Sequence, residues 1–325
     1  MKFIGNKKRL AHFLKKEFFE ENFSQGSSAL DLFSGTGSVS EILSNLKFSV
    51  SSVDVMKVCY YLTYSKLFNS PKINKDLHDH LLSAKSDGFI TKNFSEKNNV
   101  NIFTEETAMH IDGCLDFLKK NKNKINKNTF SFLMATLIEE ADFRSNIMGS
   151  YESFYKAGWR KQARKPWSFN IKKNITSTKN LVINTSIESF FENNKNKYDL
   201  VYADPPYTAR QYSSVFHTLE SISTFYNGEV KGKVNKPIEA FNSGFSSKRL
   251  IENSFENLFF NVSLISNTFF LSYSNEGIMN ENKIIKLGEK YFKKITKIKV
   301  SYRRFNTNQK GDQKKVYEYL FKFKK

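Results

Sequence analysis

The chain has 325 residues, and 51 Lys and Arg against 32 Asp and Glu give it a formal net charge of +19. A hydrophobic share of 39%, with 32 Phe and 15 Tyr, is ample for a buried core, so disorder is excluded as the overall state. Two cysteines cannot form a disulfide framework or a four-ligand zinc site, and no run approaches the roughly 18 apolar residues of a membrane-spanning helix, so a reducing, cytoplasmic setting is expected.

Leu10, Phe13, Leu14 and Phe18 fall at helical spacing and predict a first amphipathic helix. Residues 29–33 predict a short strand, a Gly-rich turn follows, and 38–46 predict a helix. A second strand is expected over 49–55. The next strand signal comes only at 181–187, and the stretch between carries helical patterns such as Phe130, Leu133, Met134, Leu137 and Ile138. That stretch is too long for a simple crossover, so residues 70–180 are read as an inserted helical region between 1–69 and 181–325. Further strands are expected over 199–204, 267–274, 294–300 and 315–323. The last two are joined by the polar, Gly-containing loop 306–312, which predicts an antiparallel hairpin. Strands alternating with helices argue an α/β fold with a largely parallel sheet.

The turn after the first strand suits a nucleoside ligand. Gly35 and Gly37 let the backbone bend and approach a ligand without a Cβ in the way. Asp54 ends the next strand, where a carboxylate can accept bonds from ribose hydroxyls. A dinucleotide fingerprint would want Gly at position 40, where Ser40 stands, and Asp31 would repel a pyrophosphate. A zwitterionic nucleoside such as S-adenosylmethionine fits better, with Asp31 near its ammonium. Downstream, the strand over 199–203 delivers Asp204 to the carboxyl edge of the sheet, followed by Pro205, Pro206 and Tyr207. The prolines fix φ and remove two backbone donors. Asp204 and the Pro205 carbonyl can accept N–H bonds from a ring-conjugated amine, stabilising charge that develops as the nitrogen attacks, while Tyr207 offers a face for stacking.

The charge is unevenly placed. Residues 151–173 hold seven basic residues against one acidic, interleaved with Tyr155, Trp159, Trp167 and Phe169, and 292–325 hold twelve against two. Cations beside rings suit phosphate contact plus base stacking, which points to Arg160, Lys161, Arg164, Lys165, Arg303 and Arg304. An AT-rich genome would by itself enrich Lys, Asn, Ile and Phe, as in 121–128, but not clustered Arg.

The Gly-rich turn and Asp-Pro-Pro-Tyr together resemble the S-adenosylmethionine-dependent adenine-N6 DNA methyltransferases in the Dam-like, alpha arrangement. The opening segment at residues 2–7 resembles that family's first motif, which implies cofactor contacts for Phe3 and Lys7. The resemblance implies cofactor roles for Asp31, Phe33, Gly35, Gly37, Asp54 and Asp204, and a catalytic role for Asp204, Pro205, Pro206 and Tyr207. It implies a Rossmann-like seven-stranded methyltransferase sheet, mostly parallel with a terminal antiparallel hairpin, an inserted helical target-recognition region, and double-stranded DNA as substrate. The acid that the family often carries after the strand at 181–187 is missing, with Asn184 and Ser186 there and Glu188 a little beyond. Cytosine-C5 chemistry needs a cysteine after proline, whereas Cys59 follows Val58 and Cys114 follows Gly113. His78 and His80 do not make a metal site, and His217 reads as structural. The expectation is therefore a site-specific adenine-N6 DNA methyltransferase without a metal, acting as a monomer in a bacterial cytoplasm near the nucleoid. It is read as the modification arm of a restriction-modification system, leaving room for a separately acting endonuclease. The alternatives are an RNA-adenine or cytosine-N4 methyltransferase, or a non-catalytic DNA-binding protein on the same scaffold.

Overall fold

The computed structural model describes residues 7–302 and 316–325. Its strands in chain order are β1 (Ser28–Leu32), β2 (Ser49–Asp54), β3 (Leu181–Asn184), β4 (Leu200–Ala203), β5 (Val230–Lys231), β6 (Lys236–Pro237), β7 (Thr268–Ser274), β8 (Lys294–Tyr302) and β9 (Val316–Lys324). Seven of them form one sheet in the order β3-β2-β1-β4-β7-β9-β8, and β5 with β6 makes a separate ribbon. The pairs from β3 to β7 are parallel, while β9 runs antiparallel to both β7 and β8. The mostly parallel sheet and its terminal antiparallel pair follow the expectation from sequence.

Successive side chains on a strand point to opposite faces. Leu30 and Leu32 of β1 and Val201 and Ala203 of β4 enter one apolar cluster, whereas Ala29, Leu200 and Tyr202 enter another. Both faces are covered, which is why these strands read as nearly continuous apolar runs. One face packs on α1 (Ala11–Phe19), α2 (Ser38–Asn45) and α3 (Lys57–Leu67), and α4 (Lys75–Ser83), α5 (Phe89–Phe94), α6 (Glu105–Asn121) and α7 (Lys127–Arg144) extend the same apolar cluster outward from α3. The opposite face takes α8 (Ile187–Asn193), the first face takes α9 (Tyr212–Val215) and α10 (His217–Thr224), and the opposite face takes α11 (Ile251–Ile265) and α12 (Glu281–Glu289). Leu133 and Leu137 of α7 share a cluster with Tyr61 and Leu62 of α3, so the long helical stretch after α3 packs into the same core as the sheet. No described helix is long and apolar enough to cross a membrane.

Two local departures from the sequence expectation have clear causes. The strand over 181–187 stops at Asn184, because Ser186 caps α8 by accepting the Ser189 N–H at 3.2 Å and Asn184 turns its amide onto the Asp54 and Val55 carbonyls. The β5–β6 ribbon has two residues per strand, too few to show a period of two in sequence.

Candidate active site

The turn after β1 is held in a conformation that few residues adopt. Phe33, Gly35 and Gly37 have φ of 62°, 53° and 71°. A phenylalanine in the left-handed region is strained and persists only where its surroundings fix it. Here the Ser34 N–H donates to the Val53 carbonyl (3.1 Å), the Gly37 N–H to the Ser34 carbonyl (2.8 Å), and Phe245 packs edge-on to Phe33 at 5.0 Å. At Gly37 a Cβ would stand 2.8 Å from the Cα of Thr63, so α3 can lie against the turn only because this residue is glycine.

Three aspartates line the resulting cleft. Asp31, 1% exposed, accepts a bond from Ser40 at Oδ2, and Ser52 in turn donates to Ser40 at 2.8 Å. Ser40, a missing glycine by the dinucleotide fingerprint, is thus the donor that steadies Asp31. The other oxygen, Oδ1, is buried and has no hydrogen-bond partner among the described residues. Burial pushes the Asp31 carboxyl up to about 7, with Asp204 and Asp54 adding to the rise against the Ser40 bond. Asp54 accepts the Gly35 N–H at Oδ2 and the Met56 N–H at Oδ1, both at 2.9 Å, and burial pushes it up to about 6. These bonds tie the ends of β1 and β2 together, and with the Cys59 thiol also bonded to the Asp54 carboxylate one lone pair is left.

Asp204, at the end of β4, sits with its Oδ1 2.9 Å from the Lys7 ammonium, which also lies 2.7 Å from Oε1 of Glu318 on β9. Burial pushes the Asp204 carboxyl up to about 7, opposed by Lys7 and reinforced by Glu318. The same two anions hold the Lys7 ammonium well above its ordinary value despite its burial. The resemblance implied cofactor contact for Lys7; it lines the cleft, but its ammonium is committed to these two acids.

Asp31, Phe33, Gly35, Asp54, Asp204 and Pro206 all line one cleft with about 1000 Å³ of space, its open mouth included. Gly37, Pro205 and Tyr207 are not among its lining residues. The Pro205 carbonyl accepts no bond from the described residues, whereas that of Tyr207 takes the Ile278 N–H at 2.9 Å. The Tyr207 ring is half-buried, edge-on to Tyr273 at 6.3 Å. Phe3, Arg303, Arg304 and the loop 306–312 lie outside the described residues.

In the basic, aromatic segment the structure corrects the reading of two rings. Trp167 stacks on His110 at 5.2 Å and gives its indole N–H to the Leu81 carbonyl at 3.2 Å, and Phe169 is buried, so both are packing residues. Arg160 donates to the Ser145 carbonyl at 2.7 Å, just beyond α7. Lys161, Arg164 and Lys165 are exposed. His217 presents Nδ1 to the Ser214 carbonyl (2.9 Å) and Nε2 to that of Val234 (2.8 Å), a structural arrangement.

Several residues in and around the cleft were not assigned to it from the sequence. Gln211 and Ser243 exchange two bonds, at 2.8 and 3.3 Å, fastening the segment after Asp-Pro-Pro-Tyr to the loop that carries Phe241 and Phe245 into the cleft. Glu188 lines the cleft from α8, beyond the position where an acid was missing. Glu220 of α10 accepts the Lys57 and Val58 N–H groups at the start of α3 (2.8 and 2.9 Å) and is pushed up to about 7 by burial. Glu318 did carry a signal, as one of two acids in a segment with twelve bases.

A family model described as D12 class N6 adenine-specific DNA methyltransferase matches residues 3–287. Among curated relatives, the modification methylase LlaI of Lactococcus lactis subsp. lactis is 29% identical over 100% of this chain and 55% of that protein. The type II methyltransferase M.FokI of Planomicrobium okeanokoites is 31% identical over 100% of this chain and 53% of its own length. The type II methyltransferase M.NlaIII of Neisseria lactamica is 30% identical over 98% of both chains. The chain thus spans about half the length of the first two relatives and nearly all of the third.

Proposed function

The chain belongs to the D12 class N6 adenine-specific DNA methyltransferase family, and from that premise we propose that it moves a methyl group from S-adenosylmethionine to N6 of an adenine flipped out of duplex DNA. The observation that carries this reading is the meeting of Asp204 and Pro206 with Asp31, one oxygen of which has no partner among the described residues, in one cleft at the carboxyl edge of the sheet. In open α/β folds that edge is where ligands bind.

The cleft fits the cofactor. Asp31 Oδ1 is a buried acceptor that lacks a donor among the described residues, which an ammonium supplies; Asp54, bonded to Gly35, Met56 and Cys59, keeps one lone pair for a ribose hydroxyl. When bound, S-adenosylmethionine supplies an electrophilic methyl on a sulfonium. The chain's own residues do the rest. Asp204 and the Pro205 carbonyl accept the two N6 protons, which turns the nitrogen lone pair out of ring conjugation and stabilises the positive charge that develops on it. Tyr207, half-buried outside the cleft, serves as the stacking face for the base. The amine's surplus proton leaves to water, so no separate base is needed.

Target reading is assigned to residues 70–180, with Lys161, Arg164 and Lys165 holding phosphates and residues 1–69 and 181–325 forming the catalytic domain. The protein acts as a monomer on one strand at a time, as the modification arm of a restriction-modification system beside a separate endonuclease. The test is transfer of labelled methyl to duplex DNA followed by digestion to nucleosides. Label in N6-methyladenine is the expected result; label on cytosine, or on RNA alone, would refute the assignment.

Asp31 gives the cofactor a pH dependence with a definite sign. An ammonium pairs with the carboxylate, and the raised carboxyl is mostly protonated below about 7. Affinity is therefore expected to rise by about tenfold in all as pH climbs from about 6 to about 8, and then to level off. Calorimetry in buffers of different ionisation enthalpy should show proton release near neutrality. In the free protein the same raised carboxyl favours folding most below its unfolded value of about 4, and that contribution is lost as pH rises through about 7. Cofactor affinity that falls or stays flat over this range would remove Asp31 from the ammonium site.

A further inference from the structure

Lys7, Asp204 and Glu318 come from three separate parts of the chain: the turn before α1, the end of β4 and the start of β9. Lys7 and Glu318 are 5% and 9% exposed. Glu318 Oε1 receives both the Lys7 ammonium and the Ser272 hydroxyl, each at 2.7 Å, while the same ammonium stands 2.9 Å from Asp204 Oδ1. One buried cation is thus divided between the buried Glu318 and the half-buried Asp204. A cluster serving stability alone would need one carboxylate for one ammonium, since each further buried charge must be desolvated.

We propose that Glu318 is a positioning residue for methyl transfer, fixing Lys7 against the inner oxygen of Asp204 and drawing off part of its charge so that Asp204 remains a strong acceptor for the target amine. This rests on the role of Asp204 given above. Lys7 paired with Asp204 alone would form a neutral couple whose carboxylate has little attraction left for a developing cation. With Glu318 on the other side of the ammonium, the cluster keeps one net negative charge. Among the described residues, the titratable groups around Asp204 are Lys7 from the first turn, Glu318 from β9, Tyr202 from its own strand, Asp31 from β1 and Tyr212 from α9. Lys7 is the cation among them. Removing the charge of Glu318 therefore leaves Lys7 to dominate.

The test is single-turnover methyl transfer to prebound duplex DNA from about pH 5 to about pH 9, at saturating cofactor so that Asp31 is already held ionised. Wild type, Glu318→Gln and Glu318→Asp are compared. The wild-type rate should rise through a limb near pH 7, where Asp204 ionises. In Glu318→Gln the limb should move down by about one unit and the alkaline plateau fall roughly tenfold. Glu318→Asp keeps the charge but draws it back, so its limb should move down by less and its plateau should lie between the other two; it answers the question even if the glutamine variant does not fold. Limbs that coincide with wild type in both variants overturn the proposal, whatever their rates. A wild type that methylates no DNA at any pH overturns the functional reading itself, and this inference with it.

Discussion

Replacing Asp204 by asparagine should lower single-turnover methyl transfer by about 10²–10³-fold, the usual effect of removing one preorganised group aimed at transition-state charge. Duplex DNA and cofactor binding should survive. Asparagine has the same shape, and Lys7, the buried ammonium that would otherwise lose its partner, still has Glu318 at 2.7 Å. The variant removes the anion that faces the developing positive charge without stranding a cation, so fold and binding are separable from chemistry. It also has no carboxyl to titrate, and the rate limb near pH 7 seen with wild type should vanish. If Asp204 were only a strand-end support, asparagine would instead shift thermal stability and leave the rate within the scatter of other surface variants.

Gly37→Ala should show the second large effect. Its φ of 71° is left-handed, and the added Cβ would stand 2.8 Å from both the Cα and Oγ1 of Thr63. The hydroxyl can rotate away; the Cα belongs to the α3 backbone and moves only if the helix does. Backbone strain and overpacking together should cost of the order of 3 kcal/mol in urea unfolding. Cofactor affinity should drop with it, because the turn that carries Gly35 onto Asp54 is bonded through Ser34 and Gly37. Gly26→Ala is the matched control: it also has positive φ, 89°, but its Cβ would meet nothing within 4 Å. It should show strain alone, about 1–2 kcal/mol, and bind cofactor normally. Equal losses of cofactor in both variants would mean that the effect is global instability and not the turn.

What could be read from sequence was whatever depends on neighbours along the chain. The strand, bend and helix around Gly35 and Gly37, and the buried strand ending in Asp204, are local patterns whose physics is complete within about ten residues. The three carboxylates Asp31, Asp54 and Asp204 could be named for the same reason, since each sits at the end of a strand. Contacts that depend on register could not. Lys7 and Glu318 are 311 residues apart, and nothing in either segment announces that β9 will lie with Glu318 opposite Ser274. The basic, aromatic stretch failed differently. Composition reports that rings and cations are close in sequence, not which face they occupy, and Trp167 turned inward to His110. Ser40 shows the converse: judged against a phosphate-binding pattern it is a defect, and judged against a buried Asp31 it is a requirement.

The strand order has a consequence for how the protein is made. β9 lies between β7 and β8, and in the finished sheet β8 pairs with β9 alone. A ribosome delivers β8 before β9, so on the nascent chain β8 has no native neighbour, and β7 shows an open edge beside it. Unpaired edges of this kind invite pairing with other chains. The lysines at 294, 297 and 299 of β8 are the residue type that discourages such pairing during the wait. Because β9 brings Glu318 to Lys7, the same late insertion that closes the sheet also completes the charge cluster around Asp204.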